Sequence, residues 1–238
     1  MIQVKGLTKK FGDHTALSGL DLNVETGSVY GLIGINGSGK TTLIKQLTGV
    51  LIPDAGEIQF DGQNVYDNIE IKQRMGYIPD ELYFFGNYNL KSMASFYKGL
   101  YKNWNEERFE EMVEDFGLSR TGKLSRFSKG MQKQAAFILA MSTMPDFLIL
   151  DEPIDGLDPI MRKKLWGYIL GDVADRRLTV LISSHNLREL EGICDAIGIL
   201  NKGKIQFEGK LDELKDEMKD MSLEEIFIYE MEGGAVNE

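Results

Sequence analysis

The sequence predicts an α/β fold with a mainly parallel core sheet, an antiparallel β part at the N-terminus and an inserted helical subdomain. The apolar runs Phe147–Leu150, Thr179–Ser183 and Ala196–Leu200 are continuous rather than alternating, the pattern of parallel strands covered on both faces. Helical periodicity fills the intervals between them. A glycine-rich loop, Gly34 to Thr41, joins an apolar run to a helical stretch, as a phosphate-binding loop requires.

Taken in order, Ile2–Leu7, Leu20–Val24, Ser28–Ile33 and Glu57–Phe60 read as strands. Thr26-Gly27, Asp54-Ala55-Gly56 and Asp61-Gly62 are the turn signals that bound them. Thr42 to Leu47 reads as the helix after the loop. Residues from about 80 to 145 change in texture and predict the helical insertion. Within it Asn105 caps a helix that buries Phe109, Met112, Val113 and Phe116 and stops at Gly117. Asp158-Pro159 is an N-cap followed by proline at the first helical position, and Leu165, Trp166, Ile169, Leu170 and Val173 repeat at helical spacing. Ser222-Leu223-Glu224-Glu225 is a capping box that predicts a last helix over Leu223 to Tyr229. One domain over 1–232 with a frayed tail at 233–238 is expected.

At 238 residues, 42% hydrophobic and 27% charged, the composition is that of a globular chain with a full core. No apolar stretch approaches the roughly 18 residues that span a bilayer. Met1-Ile2-Gln3-Val4-Lys5 enters a strand pattern directly, without a secretory signal. The single cysteine, Cys194, excludes an internal disulfide and fits a reducing cytoplasm; its apolar neighbours Leu187, Leu190 and Ile193 predict a buried thiol. The net charge is −10, and residues 206–238 carry eleven acidic residues against three lysines. That balance argues against nucleic acid as a partner, because such binding is largely phosphate neutralisation by Lys and Arg.

The loop spells Gly34-Ile35-Asn36-Gly37-Ser38-Gly39-Lys40-Thr41. Its glycines let several backbone N–H groups converge on phosphate oxygens at the positive end of a helix dipole. Asn36, Gly37, Ser38, Gly39, Lys40, Thr41 and Thr42 are therefore the candidate contacts for a nucleoside triphosphate. Lys40 reaches the β- and γ-phosphates, and the Thr41 hydroxyl is placed to ligate Mg²⁺. Phe147-Leu148-Ile149-Leu150-Asp151-Glu152 is an apolar strand ending in two carboxylates. Asp151 can hold Mg²⁺ through water, and Glu152 can polarise an attacking water as general base. His185, at the end of the Thr179 strand, is the histidine placed to meet a γ-phosphate. A guanine reader of the N-K-x-D type is absent: Asn201-Lys202-Gly203-Lys204 lacks the carboxylate.

With these motifs in place the sequence resembles the ATP-binding cassette (ABC) ATPases over nearly its whole length. Ser128-Lys129-Gly130-Met131 resembles the family signature. The resemblance implies that Ser128 and Gly130, at a helix start, face the γ-phosphate bound by a second subunit. Phe11 matches the aromatic that stacks on adenine, with Ala16 nearby. Gly156-Leu157-Asp158 matches the loop in which Asp158 couples two active sites, and His185 matches the switch histidine. Asp80, followed by Glu81, stands where the family usually has glutamine; it can still serve Mg²⁺, so Thr41, Asp80 and Asp151 form the expected metal set. Lys129 and Met131 replace the commoner glycine and glutamine.

The Ser-Lys-Gly-Met form, Ile-Pro-Asp-Glu and the segment Tyr97 to Trp104 look like bacterial exporter-type ATPases linked to envelope stress and peptide or antibiotic efflux. The resemblance thus implies a cytoplasmic ATPase subunit with ATP and Mg²⁺ as cofactors, working as a homodimer or heterodimer. It would sit on the inner face of the membrane through a separately encoded permease and have no span of its own. A soluble ABC ATPase without a transporter, serving iron–sulfur assembly or acting as a regulatory ATP switch, is the alternative. Tyr83, Phe84, Phe85 and Tyr88 read either as a groove for a helix of the membrane subunit or as core packing of the insertion.

Overall fold

The computed structural model describes residues 1–218 and 221–231, so the expected tail at 233–238 lies outside the described residues. Two sheets form the framework. The strands β1 (Ile2–Phe11), β2 (His14–Val24), β4 (Ala55–Phe60) and β5 (Gln63–Asn64) make an antiparallel sheet in the order β2-β1-β4-β5. The second sheet runs β10-β9-β3-β8-β7-β6. Its strands are β3 (Val29–Ile33), β6 (Met75–Ile78), β7 (Phe147–Asp151), β8 (Thr179–Ser183), β9 (Ala196–Asn201) and β10 (Lys204–Lys210). All neighbours in it are parallel except β9 and β10.

The continuous apolar runs have a direct structural cause. In β7, Phe147 and Ile149 join the core between the two sheets, whereas Leu148 and Leu150 join the core under the helices. Val180 and Ile182 of β8 likewise face the helices, and Leu181 faces the sheet. A strand wrapped on both sides has no solvent face to mark with polar residues. Phe60 and Phe147 meet edge-on at 4.9 Å and join the two sheets.

The helices are α1 (Lys40–Leu47), α2 (Ile69–Gln73), α3 (Leu90–Leu100), α4 (Glu106–Phe116), α5 (Lys129–Ser142), α6 (Pro159–Arg176), α7 (Leu187–Glu191), α8 (Leu211–Glu217) and α9 (Leu223–Met231). Helix α1 begins at Lys40, two residues before the periodicity announces it, because its first turn is part of the phosphate loop. Strands β1 and β2 are also longer than their apolar cores. Their outer halves form a hairpin in which Phe11 pairs with His14, held by cross-strand bonds rather than burial.

Helices α3, α4 and α5 build the insertion. Asn105 caps α4 by accepting from the Arg108 amide, and Gly117 ends it in the left-handed region. Ser222 and Glu225 exchange bonds at the head of α9, as a capping box does. None of the described helices is long and apolar enough to cross a membrane.

A buried ionic joint ties the insertion to the core. The Asp172 carboxylate on α6 accepts from Arg108 of α4 at 2.8 Å and from Arg176 at 2.7 Å. Arg176 also donates to the Pro145 carbonyl. Removing one member of such a cluster strands the remaining charges away from water, which outweighs the small worth of the pair itself. Asp172→Ala should therefore destabilise the chain by about 3 kcal/mol. Urea unfolding at neutral pH checks this; a midpoint equal to wild type would mean that the joint carries no load.

Candidate active site

The site lies at the carboxyl edge of β3, β8 and β7, which are adjacent in the sheet. The phosphate loop leaves β3 and enters α1. Its back is pinned by the Gly203 amide donating to the Ser38 carbonyl at 3.0 Å, and Gly203 in turn accepts from Ser18. Gly39, at φ 115°, passes under the β1–β2 hairpin, where an added Cβ would lie 2.9 Å from the Ala16 carbonyl oxygen. That close passage seats Ala16 against the loop. Phe11, at the same hairpin, is 48% exposed, with the Lys9 ammonium 5.6 Å from its ring centroid.

Lys40 is 8% exposed and donates to the Gly34 carbonyl at 2.6 Å and to that of Ile35 at 3.2 Å. Burial lowers its pKa, opposed by the negative charges of Glu152 and Asp151. Helix α1 starts without a side-chain cap, so its first amides are open, and the buried Ser38 hydroxyl finds no partner among the described residues. Uncapped amides, a buried cation on carbonyls and an orphaned hydroxyl all fit an anionic phosphate chain. Asn36, Gly37 and Thr41 are exposed around it, and Thr42 is half-buried.

Asp151 closes β7 opposite Ser183 of β8, whose hydroxyl donates to it at 2.5 Å. The carboxylate is 2% exposed with that single donor, a charge that fits a hard cation beside it. Glu152 leaves the strand with φ 47°, in the left-handed region. Its amide donates to the Ser183 carbonyl at 3.1 Å, and its carboxylate meets His185 Nδ1 at 2.9 Å. The hydrogen bond to Glu152, then its charge, raises the pKa of His185. Asp155 completes a cluster in which ligand-type atoms of Glu152, Asp155 and His185 lie within 4.8 Å of one another.

Other expected residues lie apart from this cluster. Ser128 caps α5, accepting from the Met131 amide at 3.2 Å, and is exposed together with Lys129. Gly130 packs so tightly that an added Cβ would sit 2.7 Å from the Gly156 carbonyl oxygen, locking the signature helix to the loop before Asp158. Asp158 caps α6 through the Ile160 and Met161 amides. Asp80 is exposed and lies 3.5 Å from the Lys133 ammonium, turned toward α5. Sequence reasoning missed Ser183, Asp155 and Lys133. Ser183 was legible as the hydroxyl ending the strand beside Asp151. Lys133 stood out only as a charge on the apolar face of α5.

Residues 17–155 match the ABC transporter family. The chain belongs to it. It is similar to the ABC transporter ATP-binding protein YtrB of Bacillus subtilis, 31% identical over 91% of this chain and 74% of that protein. It is also similar to the bacitracin transport ATP-binding protein BcrA of Bacillus licheniformis, 35% identical over 90% of this chain and 71% of that one. A solved ATP-binding subunit of an ABC transporter superposes with a TM-score of 0.90 at 27% identity, covering 97% of this chain and 99% of that one. This ABC subunit is an ATP-binding ATPase.

The chain has two histidines, His14 and His185, so their ring signals are separable by NMR. His185 should titrate above the ordinary imidazole range in the nucleotide-free protein, and Glu152→Gln should bring it down. The sign follows from the pair. Its contribution is full while the imidazole is protonated below its ordinary pKa and fades as pH rises through the elevated one. A His185 midpoint unmoved by the substitution would contradict the pairing.

Proposed function

We propose that this ABC subunit energises a membrane exporter by closing head-to-tail with a second ATPase subunit around bound ATP and then hydrolysing it. The pairing of Glu152 with His185 beside Lys40 carries the reading. It supplies a carboxylate to accept a proton from water and an imidazole to sense the terminal phosphate.

In this mechanism Lys40 and the open amides of α1 hold the phosphates, contacting Asn36 to Thr42, and Phe11 with Ala16 receives the adenine. Thr41 and Asp151, with Asp80, would hold Mg²⁺, which neutralises charge on the phosphate oxygens when bound. Glu152 takes the proton as water attacks the γ-phosphate, and His185 keeps that carboxylate oriented. Ser128 and Gly130 would complete the partner subunit's site, since in this chain they start a separate helix from the phosphate loop. Asp158, ahead of the exposed Ile160, would meet the partner's loop. The partner is the same chain or a related ATPase.

The names of the similar proteins support transport, and bacitracin transport in BcrA supports efflux of a peptide antibiotic as the class. The cassette would span 1–232, with residues 80–145 as its helical subdomain, and would reach the inner face of the cell membrane through a separately encoded permease. The aromatic segment after Asp80 supports that docking. Phe84 and Tyr88 pack on the helical core, whereas Tyr83 is 85% exposed and Phe85 and Phe96 offer exposed rings beside it.

Glu152→Gln should slow phosphate release by about 10²–10⁴-fold while ATP binding is retained, and should accumulate an ATP-dependent dimer on size exclusion. Hydrolysis at the wild-type rate would remove Glu152 from the role of base. Co-purification of the same variant with a polytopic membrane protein tests the transport half separately.

A further inference from the structure

Lys133 occupies a position that the reading above does not use. It lies on α5, five residues after the Ser128 cap, or about 7.5 Å along the helix axis. The helix continues into the core beyond it, where Ala135, Phe137 and Ile138 are fully buried. A lysine is rarely enclosed this way unless its charge is matched. Only 8% of its side chain is exposed, and it has two acceptors. The ammonium donates to the Glu152 carbonyl oxygen at 2.5 Å and lies 3.5 Å from the Asp80 carboxylate. It thereby joins three elements around a cleft of about 540 Å³: the loop after β6, the signature helix, and the loop that carries Asp155 and Gly156.

We infer that Lys133 is a positioning residue that holds the backbone of Glu152 in its left-handed turn and so aims the carboxylate. The inference rests on the assignment of Glu152 as base. Glu152 sits at φ 47°, a conformation that costs free energy for a residue with a side chain and persists only when its surroundings enforce it. Two bonds hold the peptide units on either side of the Glu152 Cα. The Glu152 amide goes to the Ser183 carbonyl, and the Glu152 carbonyl takes the Lys133 ammonium. The first is fixed in the sheet. The second comes from the same end of the helix that Ser128 caps, so a displacement of that end is transmitted to the turn behind the base. Asp80, 3.5 Å away, helps direct the ammonium.

Full-length Lys133→Met keeps the chain length and packing and removes the donor. The kcat for ATP should fall about 10- to 100-fold, the usual worth of a buried charge-assisted bond, with KM for ATP within about twofold of wild type. Amide hydrogen exchange over residues 151–155 should rise in the nucleotide-free protein, and Lys133→Gln, which retains a donor, should recover part of both effects. Wild-type kcat and wild-type exchange in Lys133→Met would overturn the inference. So would equal losses in Lys133→Met and Lys133→Gln that follow a lowered melting temperature. If Glu152→Gln proves active, the base assignment fails by itself, and the exchange data on Lys133→Met still decide whether the lysine holds the turn.

Discussion

The active site depends on one constraint, the parallel register of β3, β8 and β7. Because β7 pairs with β8 as Asp151 to Ser183, the chain must place a carboxylate and a hydroxyl side by side at the strand ends. Because β8 also pairs with β3 as Ser183 to Leu32, the phosphate loop must start one strand away. Such a crevice outside the carboxyl ends of parallel strands is where open α/β sheets bind ligands. A one-residue slip in either ladder would invert every side chain of the strand and send Asp151 to the opposite face. In β7 such a slip would also exchange the two cores, sending Phe147 and Ile149 under the helices and Leu148 and Leu150 between the sheets, and the close packing of each core opposes that exchange.

The local chemistry of the site was legible where the spacing itself states a geometry. Eight consecutive residues specify the loop, and an apolar run ending in Asp151-Glu152 specifies where two carboxylates emerge. The caps at Asn105, Asp158 and Ser222 were equally plain, since a polar side chain before a periodic run has few other uses. What remained hidden belongs to contacts between distant segments. The outer halves of β1 and β2 have little apolar signature because pairing, not burial, orders them. Asp80 could be assigned by position in the motif, but the ammonium that takes hold of it sits 53 residues later in the chain. Of the aromatic segment, Phe84 and Tyr88 pack inward and Tyr83 outward, so core packing accounts for only part of it.

Two further links show how the halves of the subunit communicate. Gly130 against Gly156 leaves no room for a side chain, which makes the signature helix and the loop before Asp158 a single rigid contact. The Glu189 carboxylate accepts from Trp166 on α6 and from Asn186 next to His185, so the helix that Asp158 caps is also bonded to the histidine loop. Residues assigned to the two nucleotide sites of the proposed dimer are thus joined through short contacts within each subunit.

The way Lys40 is held has a bearing on the waiting state of the enzyme. Its ammonium already has two carbonyl acceptors from its own loop, so an incoming phosphate does not relieve a naked charge. In the proposed role of Lys40, nucleotide capture is an exchange of partners, with carbonyls surrendered as phosphate oxygens arrive. An exchange of this kind lowers the gain on binding and equally lowers the penalty on release. On that reading the Gly34 and Ile35 carbonyls take the ammonium back as spent nucleotide leaves.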